Sequence, residues 1–300
     1  MASTIDTAFQ QSYHNEFEIK FQQNGSRLRN LVTVRPQYTK TDYHDRIGTV
    51  VFSEKTTRHA PTVLEEADHT RIAVSMRDYR NALPFDNEDK LRMNLNDPRN
   101  GYAMTQAQAL GRKFDSVVIA AATGTTYTGE TGSSSETYDA STYGVAVHWV
   151  APGNANADSN LTVEKLIKAR SKLFTAEAVM DGEPVAFVCT QSQIDALLRD
   201  PNITSADYNV VRALVSGEVN TYLGFTFVRT ELLSKDSNNV RTCLAFPKSA
   251  IIVGEADERT TRIDQRPDLN YTWQVWTQGT FGAARTWREK VVSVACDEDL

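Results

Sequence analysis

Residues 97–124 read DPRNGYAMTQAQALGRKFDSVVIAAATG. Asp97 suits a helix N-cap, and Pro98 suits the first helical position, where its missing N–H has no partner to lose. Ala103, Ala107, Leu110, Phe114, Val117 and Ala121 follow at spacings of 4, 3, 4, 3 and 4. That rhythm lays an apolar stripe along one helix face. Gly124 supplies the stop. At about 1.5 Å per residue the element is on the order of 35–40 Å long. An ordinary helix has about 11 residues, so this one is a beam on which other elements hang.

Upstream of the beam the texture changes. Thr49–Phe52 reads as a strand. Ile72, Val74 and Met76 alternate with Arg71, Ala73 and Ser75, a second strand signal. The charged connector SEKTTRHAPTVLEEADHT separates them. Two strands with so long a polar link form an extended hairpin. A lone hairpin is marginal in water and needs something to lie on, yet no partner strand is obvious nearby. Before the hairpin, Ile5, Phe9, Tyr13, Phe17 and Phe21 recur every four residues. On a helix each such step drifts by about 40°, giving a slowly winding aromatic stripe. Such a face must dock, either on its own domain or on a neighbouring subunit.

Downstream, residues 124–159 are rich in Gly, Ser, Thr, Asn and Asp, with Val145–Val150 as a short strand inside a surface excursion. A second helix carries Val163, Leu166, Ile167, Leu173 and Phe174 on its apolar side. Pro184–Thr190 is a buried strand, and Thr190-Gln-Ser-Gln193 is a capping box opening the helix of Ile194, Leu197 and Leu198. Val210–Val215 reads as a short helix. Leu223–Val228, Val240–Phe246 and Ile251–Val253 read as strands. Tyr271, Trp273, Trp276, Phe281 and Trp287 mark a closing run of strand formers, with turns at Gly279 and Gly282.

Composition excludes whole classes. Three hundred residues give room for roughly two domains. With 40% hydrophobic and 23% charged residues the chain is not disordered as a whole. Lys plus Arg number 32 against 38 Asp plus Glu, a net charge of −6, which disfavours a bulk basic nucleic-acid binder. The apolar run Val117–Ala122 falls far short of the ~18 residues that span a bilayer, so no membrane partner is expected. The first twenty residues lack a signal-peptide core, and Ala2 stands where myristoylation needs glycine. Cys189, Cys243 and Cys296 are too far apart for a disulfide framework or a zinc knuckle.

Chemical motifs are few. Gly124-Thr-Thr-Tyr-Thr-Gly129 has phosphate-loop spacing, but Glu130 stands where the lysine belongs and the run before it is helical. Asp42, His44 and Asp45 cluster, as do Glu65, Glu66, Asp68 and His69; each cluster reads as a metal or acid–base site or as a solvated loop. Lys165, Lys168, Arg170 and Lys172 form a basic helix face, open to nucleic acid or simply to water. Asp297-Glu298-Asp299 reads as a cation binder or a frayed end. No catalytic residue, metal ligand or cofactor is expected.

The order of elements resembles the Hong Kong 97-like major capsid proteins of tailed bacteriophages. Three blocks carry the likeness: GTVVFSEKTTRHAPTVLEEADHTRIAVSMRDY leading into the beam; AFVCTQSQIDALLRD followed by GEVNTYLGFTFVRTELL; and CLAFPKSAIIVGE followed by WTQGTFGAARTWREKVVSVAC. The resemblance implies an α+β fold with an N-terminal arm at 1–33, an E-loop hairpin at 34–80 and a peripheral domain at 81–183 built on a spine helix. It further implies an axial domain at 184–252 and return strands at 253–300; residues 125–158 are an elaboration of the peripheral domain or an insertion. Arm and hairpin would lie across neighbouring subunits, with Phe9, Tyr13, Phe17 and Phe21 as intersubunit contacts. The implied partners are copies of the chain in pentamers and hexamers, a separate scaffolding protein, a portal, and weakly contacted double-stranded DNA, assembled in the host cytoplasm. The family's founding member links subunits through a Lys and an Asn, and neither is matched to a position here. An encapsulin shell and a cytosolic α+β enzyme with dispersed catalytic residues are the rival readings.

Overall fold

A computed structural model describes residues 23, 25–58, 64–85, 99–149, 158–180, 182–199, 221–256 and 260–299. In chain order the strands are β1 (Thr33–Pro36), β2 (Thr41–Ile47), β3 (His69–Ser75) and β4 (Arg77–Phe85). Helix α1 (Arg99–Thr123) follows, then β5 (Thr126–Thr128), β6 (Ser134–Glu136), α2 (Ala140–Tyr143) and α3 (Val163–Thr175). Next come β7 (Val185–Cys189), α4 (Gln191–Arg199), β8 (Thr221–Tyr222), β9 (Phe225–Arg229) and β10 (Val240–Pro247). The chain closes with β11 (Ile251–Glu255), β12 (Thr260–Arg266), β13 (Thr272–Arg285) and β14 (Val292–Asp297). The expected aromatic first helix, the cap at Asp97 and Pro98, and the helix at Val210–Val215 lie outside the described residues.

Strand β13 organises the first sheet. One half pairs with β12 and β4 on its two edges, and its last residues pair with β11, which lies parallel to β1. Helix α1 packs across β13. Gln106 fastens the two: its Nε2 donates to the Val275 carbonyl at 2.9 Å, and its Oε1 accepts from Thr277 Oγ1 at 2.7 Å. At the far end, buried Arg285 donates Nη1 to the carbonyls of Ala122 and Gly124 at 2.8 and 3.0 Å. Those are orphan acceptors at a helix C-terminus, so β13 itself caps the beam. The helix has 25 residues, hence about 37 Å.

The buried face of α1 is displaced from the expected stripe. Phe114 is buried, but Ala107 is exposed and Leu110, Val117 and Ala121 are half-buried. The buried line runs instead through Phe114, Val118 and Ala122 and takes in Gln106, Gln108 and Asp115. A stripe drawn from apolar residues alone missed Gln106 and Asp115, polar residues that find partners inside.

Gly279 and Gly282 do not make turns. Both lie within the continuous fourteen-residue β13. A Cβ on Gly282 would stand 2.1 Å from the Ser75 carbonyl oxygen, so this glycine lets the β3–β4 junction cross over β13. A Cβ on Gly279 would stand 2.9 Å from a Leu110 methyl.

The second sheet has the order β14-β10-β7-β9-β8, with β7 and β9 parallel. Every residue of β7 is buried, as a continuous apolar run covered on both faces requires. Thr190 opens α4: its N–H donates to Gln193 Oε1 at 2.9 Å, the returning half of the capping box. The expected strand at Leu223–Val228 begins only at Phe225. Leu223 and Gly224 have φ of +50° and +79° and form the two-residue β8–β9 turn. Val145–Val150 is not a strand; Val145 makes a single bridge to Val294, and Val150 lies outside the described residues. β14 belongs to this second sheet, while β11, β12 and β13 form the first.

The third sheet, β2-β3-β5-β6, supplies the partner that the hairpin lacked in sequence. Tyr127 and Thr128 of β5 pair with Ala73 and Ile72. The strand before the loop is Thr41–Ile47, not Thr49–Phe52, which is exposed and unpaired. Ile72 and Val74 pack with Ile252 and Ala284, welding hairpin to first sheet.

Candidate assembly surfaces

Gln23 and residues 25–28 are bound to α1 by one side chain. Asp115 is fully buried. Its carboxylate accepts from Gln23 Nε2, Ser26 Oγ, the Arg27 N–H at 3.0 Å and the Leu28 N–H at 3.2 Å. One turn earlier, a Cβ on Gly111 would stand 2.5 Å from the Gly25 carbonyl carbon, so the backbones touch. Leu28 then enters the core, and Arg29 forms a paired contact with Glu255 at 2.6 and 3.0 Å. Neither Gly111 nor Asp115 was singled out from sequence. Their four-residue spacing, with a carboxylate set inside the apolar run FDSVV, was the available signal. Phe9, Tyr13, Phe17 and Phe21 lie outside the described residues.

The β2–β3 hairpin has a pinned root, and the described residues of its loop carry exposed apolar side chains. Arg46 donates Nε to Thr70 Oγ1 at 2.7 Å, Nη2 to Glu136 Oε2 at 2.6 Å and Nη1 to the Thr286 carbonyl. Its guanidinium lies 4.3 Å from the Trp287 ring centre, and Arg288 Nε approaches Glu136 at 3.4 Å. One arginine thus joins β2, β6 and the end of β13. Beyond Ile47 the chain turns apolar again, and among the described residues nothing covers it: Phe52 is 99% exposed and Leu64 89%, with Val50 and Val51 also exposed. Clustered exposed apolar side chains mark an interaction surface.

The charged motifs are structural. His44 lies 3.7 Å from Asp42, while Asp45 pairs with Arg71 at 2.6 Å. Burial pushes the His44 imidazole below its ordinary value, against the pull of Asp42. Glu65, Glu66, Asp68 and His69 are solvated or nearly so, and no group of three metal-ligating residues occurs among the described residues. Gly124 ends α1, and the loop-like stretch after it forms β5 and a turn at Gly129 with φ of +93°.

The basic face of α3 does not exist as such. Lys165 is 0% exposed and donates Nζ to the carbonyls of Val147, Ser159 and Ala295 at 2.8, 2.6 and 2.9 Å. Burial lowers its pKa. Lys172 donates to the carbonyls of Thr142 and Gly144. Lys168 lies over the Trp149 ring and Arg170 over Phe174. The helix buries Lys165, Leu166, Ala169 and Leu173, and the expected apolar Ile167 and Phe174 are exposed. Buried amine heads replace apolar ones because loop carbonyls converge there.

The acidic tail is neither frayed nor a cation site. Glu298 takes Arg241 Nε at 2.6 Å and Nη2 at 3.1 Å, Gln193 Nε2 at 2.9 Å and Lys235 at 3.1 Å. Burial works to raise its pKa, but the bonds from Arg241, Gln193 and Lys235 outweigh it and hold the carboxyl at about 2. Asp299 accepts from Asn239 at 2.6 Å. The three cysteines are buried free thiols. Among the described residues no helix is long and apolar enough to cross a membrane.

No curated protein matches the sequence. Solved structures do match it. The capsid of Ralstonia phage GP4 is 12% identical with a TM-score of 0.73, covering 99% of this chain and 97% of its own. The acid-stable capsid of Helicobacter pylori bacteriophage KHP30 is 10% identical with a TM-score of 0.73, covering 99% and 98%. A structure from Mycobacterium phage Che8 is 13% identical with a TM-score of 0.69, covering 95% and 96%. Such likeness gives the α+β fold. The family model for phage capsid proteins matches residues 5–298, nearly the whole length. With exposed apolar side chains on its hairpin loop and charges spent on internal bonds, this chain belongs to the phage capsid protein family and is a major capsid protein, a structural component of the virion.

Proposed function

We propose that copies of this chain form pentamers and hexamers that close an icosahedral head around double-stranded DNA. One surface meets a different surface on the next copy, and such head-to-tail contacts close into rings when the rotation allows. Obligate interfaces of roughly 2,000 Å² or more supply the energy. The observation that carries the proposal is the β2–β3 hairpin, whose base is pinned by Arg46 while Phe52 stands 99% exposed. A loop of that kind costs solubility unless another chain covers it.

The regions take roles on this reading. Residues 1–33 are an arm whose Phe9, Tyr13, Phe17 and Phe21 anchor on a neighbour, and 34–80 the E-loop. Residues 81–183 are the peripheral domain, with α1 as spine and 125–158 as its elaboration. Residues 184–252 are the axial domain, and 253–300 return. Of the returning strands, β14 adds to the axial sheet. A scaffolding protein directs assembly in the host cytoplasm, a portal occupies one vertex, and the lining grips DNA weakly. A net charge of −6, with Lys165 and Lys172 committed to carbonyls, supports that last role.

Expression with and without the scaffolding protein, followed by negative-stain microscopy, tests the proposal. Closed DNA-competent shells are expected. Deleting residues 1–22 lowers shell yield more than it lowers subunit melting temperature. Shells of normal yield and heat resistance after that deletion contradict the role given to the arm.

A further inference from the structure

The geometry points to Asp115 as the residue that fixes where the first twenty-two residues leave the subunit, and so sets how well they reach a neighbouring copy. This rests on the reading that those residues make intersubunit contacts.

Both carboxylate oxygens are saturated from one short segment. Oδ1 accepts from Ser26 Oγ and the Leu28 N–H, and Oδ2 from Gln23 Nε2 and the Arg27 N–H. A buried carboxylate without such donors is expensive, so segment and helix hold each other in register. Gly111 completes the seat. Its missing side chain admits the Gly25 backbone, itself at φ +71°. Ser26 Oγ also accepts the Arg29 N–H at 3.1 Å, which tightens the segment on its C-terminal side.

The consequence is one of effective concentration. A segment held at both carboxylate oxygens presents its upstream chain from one point, whereas a loosened one lengthens the tether. The local concentration of a tethered group falls roughly as the −3/2 power of tether length. Asp115 is therefore a positioning residue: it is fully buried within the subunit and acts through where the arm begins.

Two variants separate this from simple destabilisation. Asp115→Asn keeps the shape but offers only one acceptor oxygen to four donors. Gly111→Ala favours the helix in itself, yet its Cβ would stand 2.5 Å from the Gly25 backbone. Amide hydrogen exchange on unassembled subunits reads the seat, and shell yield reads its effect. In both variants exchange over 25–32 should rise by about tenfold or more while β7 and the C-terminal half of α1 keep their protection. Shell yield should fall several-fold where the wild-type chain assembles. Unchanged exchange over 25–32, or a loosened segment with wild-type shell yield, overturns the inference. If deleting residues 1–22 abolishes shells but the variants assemble normally, the arm's role stands and the role of Asp115 falls. Wild-type yield in the deletion overturns both.

Discussion

Lys165 and Glu298 are charges at positions where a polar residue ordinarily faces water. Lys165 is fully buried and satisfies three carbonyls, those of Val147, Ser159 and Ala295. Lys165→Met relieves the burial of an ammonium but strands those acceptors, each costing about 1–3 kcal/mol when left unmet. The expected net loss is about 2 kcal/mol, read as a drop of several degrees in subunit melting temperature. Glu298 titrates at about 2 against an ordinary value of 4.5. A carboxyl lowered by folding contributes fully above the ordinary value and loses that contribution as pH falls toward the folded one. Stability should therefore drain between about pH 4.5 and pH 2, by on the order of 2–3 kcal/mol. Glu298→Gln should flatten that portion of a melting-temperature-against-pH curve while lowering the plateau at neutral pH. Neither residue could be read from sequence, because helix periodicity assigns charge to the outside and each residue has at least one partner more than a hundred residues away, Ala295 for Lys165 and Gln193 for Glu298.

Among the elements, those buried on both faces were legible. Val185–Cys189, the Cys243–Phe246 half of β10 and Ile251–Val253 announce themselves as short unbroken apolar runs. The strands at edges were not. β2 reads TDYHDRI, with alternating exposure and little apolar signal, and the eye passes to the more apolar Thr49–Phe52 beyond it. β13 was broken in reading at two glycines that serve close approach. That difference has a measurable form. Gly282→Ala drives a methyl to 2.1 Å from a backbone oxygen, which cannot yield, and should cost about 3 kcal/mol or more. Gly279→Ala meets only the end of the Leu110 side chain at 2.9 Å, and should cost about 1 kcal/mol. Chemical denaturation of the two variants side by side checks the ranking. The capping box at Thr190 and the stop at Gly124 were legible because caps are local chemistry.

For the whole molecule, the sequence carried the order of elements, and order alone pointed to the family. It did not carry the joints. Asp115 against residues 26–28, Arg46 against β6 and the end of β13, and Arg285 against the end of α1 each join parts distant in the chain. A carboxylate or guanidinium looks the same in a sequence whether it meets water or a partner, so joints appear only once the fold brings donors and acceptors together. Those joints hold a subunit whose hairpin is pinned at its base by Arg46 and exposes Phe52 and Leu64 beyond it. Sedimentation velocity of the full chain across a wide concentration range tests that claim most directly. The account predicts a concentration-dependent passage from the 33.5 kDa subunit to rings and shells many times larger. A chain that sediments as a monomer at every concentration would contradict it.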